Sequence, residues 1–169
     1  ARGIALVREC DTNMETAMDH RICLQRLEES AEPVAEITSY SMDRGVYEFF
    51  LLDGCLCIGR QTFAAGNGVS LYLGKTESSQ KVRDAEQHLT NEGTGRSTLR
   101  RSLGALLRER LNLMPQPRRC SETSTPRFTN FQFDPAGEDR LTAWMKRHLS
   151  LAFYELRKLT ITELRAYEK

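Results

Sequence analysis

The sequence predicts a small α/β domain, and three observations lead there. Residues 34–40 and 45–52 read as strands, the second being the run Gly45-Val46-Tyr47-Glu48-Phe49-Phe50-Leu51-Leu52, rich in β-formers. Asp53-Gly54 has the composition of a tight turn into a further strand from Cys55 to Ile58, and Val69 to Gly74 alternates as another. After Ser78 the apolar period changes from that of a strand to that of a helix. A length of 169 residues with 40% apolar side chains suits one compact core with an appended segment. The expected division is an N-terminal helical extension over 1–40 and the main domain over 41–169.

The elements follow in order. Residues 12–31 form an amphipathic helix pattern in which Met14, Met18, Ile22 and Leu27 recur on one face, capped by Asp11 or Thr12 and stopped by Pro33. Its expected role is to cover the sheet. Gly66-Asn67-Gly68 reads as a flexible loop before the Val69 strand. Val82, Ala85 and Leu89 mark a short helix closed by Gly93-Thr94-Gly95. Ser97 or Thr98 caps the next helix, with Leu99, Leu103, Leu106, Leu107 and Leu111 as its buried stripe and Arg100, Arg101, Arg108 and Arg110 largely off it. Three prolines between 114 and 127 indicate loop. Phe131 and Phe133 form a short strand. Asp134-Pro135 then opens a helix whose core face is Leu141, Trp144, Met145 and Leu149. Leu151 to Leu156 reads as a strand, and a last helix starts near Thr160 and stops at Lys169, as if cut short.

Composition excludes several classes. No run approaches the roughly 20 apolar residues that span a bilayer, and the start is too short and too soon charged for a signal peptide. A cytoplasmic protein without a membrane partner is therefore expected. Cys10, Cys23, Cys55, Cys57 and Cys120 are odd in number and lack zinc-site spacing, so buried thiols are expected rather than metal ligands. The net charge is only +1, but ten Lys and Arg residues crowd the stretch from Lys81 to Arg127. Local basic density is what phosphate binding needs, although a solvated helix surface explains it equally well.

The informative set is Gly45-Val46-Tyr47 on one strand, Tyr72-Leu73-Gly74-Lys75 on another, then Arg83 and, five residues on, His88. With Ser97-Thr98-Leu99-Arg100-Arg101-Ser102-Leu103, the Phe133-Asp134 to Trp144-Met145 helix and the closing Leu164 to Lys169, this order resembles the GIY-YIG nuclease superfamily, and within it a bacterial subgroup, over about residues 44–169. The resemblance implies an α+β fold: a small central, mainly antiparallel sheet flanked by helices. It also implies an endonuclease that hydrolyses DNA phosphodiester bonds with a divalent ion, Mg²⁺ or Mn²⁺, and no other small-molecule cofactor.

Such chemistry needs an activated water, neutralised phosphoryl oxygens and help for the leaving oxygen. By resemblance Tyr47 is the general base or water-positioning group, with Tyr72 beside it. Forming a free phenolate at pH 7 costs roughly 4 kcal/mol, so a nearby cation is required. Lys75, Arg83 and His88 are the candidates, and His88 is also a possible acceptor of the phenol proton. Arg83 would grip the scissile phosphate through two parallel guanidinium bonds, and Glu168 matches the family's metal-binding glutamate, with Glu163 as the alternative register. Arg96, Ser97, Arg100 and Arg101, at a helix start where free N–H groups suit a phosphate, are the expected DNA contacts.

Two departures stand out. The insert from Leu52 to Val69 is longer than the family's usual hairpin. The chain also ends at Lys169, before the apolar helix and asparagine that usually follow, so Glu168 would fall in a last turn. A DNA-binding domain without turnover, or a protein-interaction module, are the competing expectations; oligomeric state leaves no trace in the sequence.

Overall fold

A computed structural model describes residues 26–52, 55–58, 61–64, 69–91, 93–118, 127–157 and 162. Its centre is a four-stranded antiparallel sheet in the order β1-β8-β2-β5, formed by β1 (Glu32–Pro33), β8 (Leu149–Glu155), β2 (Gly45–Leu51) and β5 (Val69–Thr76). The expected α+β architecture is what the chain adopts. β2 is hydrogen-bonded on both sides, and all of its residues are buried. That is why Gly45–Leu51 reads as a nearly continuous apolar run rather than an alternating one.

Alternation still sorts its two faces. Tyr47, Phe49 and Leu51 point into the larger core with Leu99, Leu103, Leu107, Phe133, Leu141 and Met145. Val46 and Phe50 point the other way, onto Ala152, Leu156 and Leu27. Leu27 belongs to the short described part of the N-terminal segment, helical over 26–29, and it is fully buried against this back face. The rest of the proposed N-terminal helix, with Met14, Met18 and Ile22, lies outside the described residues.

Several local expectations needed revision. Residues 34–40 are not a strand: after β1 the chain makes a 3₁₀ turn over Val34–Glu36 and then runs irregularly to Gly45. The long insert carries its own antiparallel hairpin of β3 (Cys55–Ile58) and β4 (Gln61–Ala64). Within the proline-rich stretch, β6 (Pro115–Arg118) pairs with β7 (Arg127–Phe133). Proline is tolerated there because β6 is an edge strand and Pro117 falls in the register break between Gln116 and Arg118. Leu106, expected in the buried stripe, is 39% exposed.

Three helical segments cover the Tyr47 face. A π-helix spans Lys81–His88, its wider turn marked by the bond from Leu89 N–H to Asp84 O at 2.9 Å. Helix α1 (Thr98–Leu106) is capped by Ser97, whose Oγ accepts from Arg100 N at 3.0 Å. Helix α2 (Pro135–His148) starts with Asp134 accepting from Gly137 N, has Pro135 at its first position, and closes with Lys146, Arg147 and His148 in the last turn.

Where these segments meet, the reading of Arg100 as off the buried stripe is corrected. Its side chain is fully buried and forms an ion pair with Glu138 at 2.7 Å. Nε donates to Thr94 Oγ1, Nη1 to His88 O and Thr142 Oγ1, and Nη2 to Glu138 Oε2 and O. All five guanidinium N–H groups thus have acceptors. Glu138 accepts in addition from Thr94 Oγ1 and from Phe133 N. Removing one partner would strand the other charge in the core. Arg100→Ala and Glu138→Ala are each expected to lower unfolding stability by about 3–5 kcal/mol, read as a drop in urea midpoint at unchanged m-value. A change within ±0.5 kcal/mol for either would show that the pair does not support the core.

Candidate functional site

Tyr47 lies opposite Gly74 on the neighbouring strand, and its ring rests across that glycine. A methyl group at position 74 would overlap the Tyr47 ring and hydroxyl, so the close approach requires glycine. Tyr72 pairs with Phe49 and falls diagonally from Tyr47 on the same face. The two tyrosine rings stack with centroids 6.2 Å apart and planes 29° apart.

The π-helix supplies the polar partners. Arg83 Nε donates to Tyr47 Oη at 3.1 Å, and His88 Nε2 lies 2.9 Å from the same oxygen. Residues five apart in an α-helix would point about 140° away from one another. In a helix bonded i to i+5 they lie one turn apart on one face, which is how both reach a single hydroxyl. Arg83 also donates through Nη1 to Gln87 Oε1 at 2.8 Å and is partly exposed. Burial tends to lower its pKa, but its interactions with the Tyr47 and Tyr72 hydroxyls outweigh that and raise it.

His88 is fully buried, with its ring between those of Tyr47, Phe49 and Tyr72 at centroid distances of 5.4, 5.8 and 5.9 Å. Its Nδ1 is 2.6 Å from Ser97 Oγ. Burial first, and then the Arg83 and Arg100 charges, push its pKa down to about 3. His88 is thus a neutral imidazole at pH 7, not a cation beside Tyr47. Burial raises the Tyr47 pKa further than the Arg83 bond and charge lower it, so the phenol stays protonated.

The remaining expected residues divide. By register Lys75 pairs with Val46, whose side chain packs on the back of the sheet, so Lys75 is on the face opposite Tyr47 and cannot serve as its cation. It forms an ion pair with Glu77 at 3.7 Å. Of the three proposed cations, Arg83 alone is both beside the phenol and charged at pH 7. Ser97 and Arg100 are fully buried, so neither offers its side chain to a DNA phosphate at the surface. Arg96 is exposed, and Arg101 is partly exposed, with its guanidinium on Thr94 O, Gly95 O and Thr98 Oγ1. Glu168 and Glu163 lie outside the described residues. Among the described residues, no group of three or more His, Cys, Asp or Glu side chains is placed to hold a metal ion.

Sequence reasoning missed two features. One is the contact of Ser97 with His88, for which nothing in the spacing gives a signal. The other is Asp84, a fully buried carboxyl between Arg83 and Ala85 on the π-helix. Neither of its oxygens has a hydrogen-bond partner among the described residues. Burial raises its pKa well above the usual carboxylate value, against the opposing pull of Arg83 and the Gln80 side chain.

The family model for a GIY-YIG catalytic domain matches residues 61–169. That span includes Tyr72, Arg83, His88, Ser97 and Glu168; Tyr47 precedes it and joins the site through sheet pairing. No curated protein and no solved structure matches the chain. Among the described residues, no helix is long and apolar enough to cross a membrane.

Two of these shifted groups, His88 and Asp84, act oppositely on stability. Native His88 resists protonation, so the unfolded chain binds the extra proton below pH 6.5 and stability falls toward pH 3. The slope is at most about 1.4 kcal/mol per pH unit. Native Asp84 holds its proton, so its contribution is full below pH 3.8 and is lost as pH rises through the folded-state value. Compared with wild type by urea unfolding, His88→Gln should remove the acid-side loss. Asp84→Asn should raise stability at pH 7. An unchanged pH profile in His88→Gln, or a destabilised Asp84→Asn, would contradict these environments.

Proposed function

This chain belongs to the GIY-YIG catalytic domain family, and from that premise we infer that it is a metal-dependent DNA endonuclease whose water-activating group is Tyr47. The observation that carries the reading is the Tyr47 hydroxyl held between Arg83 Nε and His88 Nε2. A phenol in such a place takes a proton from water only if its own can leave, and neutral His88 is the acceptor within reach. Arg83 has the planar fork that fits a phosphodiester, and it is partly exposed where DNA would approach.

One proton route follows. Water gives a proton to Tyr47 Oη while Tyr47 gives its own to His88 Nε2. The resulting hydroxide attacks phosphorus, the bond to the leaving oxygen breaks, and that oxygen takes a proton from solvent. His88 is depressed first by burial and then by the Arg83 and Arg100 charges. A phosphate bound at Arg83 would offset the Arg83 charge and make the imidazole a better base. A divalent ion, Mg²⁺ or Mn²⁺, held by Glu168 would neutralise the phosphoryl oxygens and acidify the attacking water. Arg96 and Arg101 would extend the contact along the DNA backbone and make binding fall steeply with salt.

Nicking of supercoiled plasmid, with Mg²⁺ against EDTA, tests the reading. Tyr47→Phe is expected to abolish Mg²⁺-dependent nicking. Arg83→Ala should lose about 3–4 kcal/mol of barrier lowering, a few hundredfold in rate, with Arg83→Lys unable to restore it. All three should still bind DNA at low salt. Wild-type rates in Tyr47→Phe would remove Tyr47 from the chemistry. DNA binding without cutting in wild type would leave a binding domain.

A further inference from the structure

Ser97 has two partners on one oxygen: its Oγ accepts from Arg100 N as the N-cap of α1, and it lies 2.6 Å from His88 Nδ1. The hydrogen-bond chain Arg83–Tyr47–His88–Ser97 can run in two directions, because His88 carries a single ring proton when neutral. In one direction Tyr47 donates to His88 Nε2, and His88 Nδ1–H donates to Ser97 Oγ. In the other, Ser97 donates to Nδ1, and Nε2–H donates to Tyr47 Oη.

Three facts favour the first direction. Arg83 can only donate, so Tyr47 Oη already accepts one bond and still has its own proton to give, with His88 Nε2 2.9 Å away. A phenol is a far stronger acid than an aliphatic hydroxyl, so it is the better donor to the imidazole, the strongest neutral base of the cluster. Ser97 Oγ has two lone pairs, one for Arg100 N–H and one for His88 Nδ1–H.

We propose that Ser97 is a positioning residue that anchors the Nδ1–H tautomer of His88 and thereby keeps Nε2 free to take the Tyr47 proton. The proton moves from Tyr47 Oη to His88 Nε2, and the imidazolium so formed holds its other N–H on Ser97 throughout. No side-chain contact of Ser97 with DNA is required, which suits its complete burial. The catalytic part of the proposal rests on the nuclease reading of Tyr47; the tautomer does not.

The test uses the full chain with ¹⁵N-labelled histidine. Long-range ¹H–¹⁵N correlation at pH 7 reports which nitrogen of each of the three histidines carries hydrogen, and His88→Gln assigns the His88 signals. Nδ1–H is expected in wild type and in Ser97→Thr, and a shift toward Nε2–H in Ser97→Ala. Ser97→Gly is the second variant, because glycine caps a helix nearly as well as serine and so removes the hydroxyl with little damage to α1. Plasmid nicking should fall roughly tenfold or more in Ala and Gly and recover in Thr, with low-salt DNA binding unchanged. Nε2–H in wild type would overturn the proposal, as would an unchanged tautomer in Ala and Gly, or wild-type nicking once the tautomer has moved. Absence of nicking in wild type would refute the nuclease reading instead, and the tautomer signals would still decide for or against the Ser97 anchor.

Discussion

The buried guanidinium of Arg100 is the joint on which the helical layer depends. Burying a charge in a domain core costs several kcal/mol, and it is tolerated only when paired and fully hydrogen-bonded. Arg100 meets both conditions by drawing five acceptors from separate parts of the chain: His88 O at the end of the π-helix, Thr94 in the following turn, and Glu138 and Thr142 on α2. Each of those segments is therefore fixed against the others through one planar group. The same ion pair bears on Tyr47, because the carbonyl it holds belongs to the residue whose ring bonds the phenol.

The cluster built on that joint is buried almost throughout. Tyr47, His88 and Ser97 are all fully buried, and the Arg83 guanidinium is the partly exposed end of the chain they form. Burial raises the cost of separating charge, which is why the phenol and the imidazole are both neutral at rest. It also makes charge brought in by a ligand count for more, since little water is present to screen it. A phosphate at Arg83 would alter the balance between two groups poised on opposite sides of one hydrogen bond.

Much of this was legible in the sequence, and the reasons differ by element. The two tyrosine strands declared themselves through β-branched and aromatic runs, and the order Tyr47, Tyr72, Arg83, His88 placed them in one family before any geometry was known. The α2 face was readable because Leu141, Trp144 and Met145 follow helical period and all three are buried. Arg100 is hard to read from sequence because a charge ordinarily marks an exposed position, whereas here the charge is buried in a pair with a glutamate 38 positions away. Lys75 follows Gly74 directly in sequence, but in a strand the next residue points to the opposite face, away from Tyr47. The β6–β7 hairpin was hidden by prolines that an edge strand can accommodate. Glu168, central to the metal question, falls outside the described residues.

The π-helix turns a spacing of five into a coded distance. An ordinary helix would need its arginine and histidine three, four or seven apart to present them together. If the segment from Arg83 to His88 kept its length but wound as an ordinary α-helix, one of the two side chains would swing off the phenol, with every site residue still present. The joint reach of Arg83 and His88 to one hydroxyl therefore depends on the i to i+5 bonding of the helix as much as on the identity of the two residues. The five-residue gap is a signature that can be sought in other chains bearing the same pair of tyrosine strands.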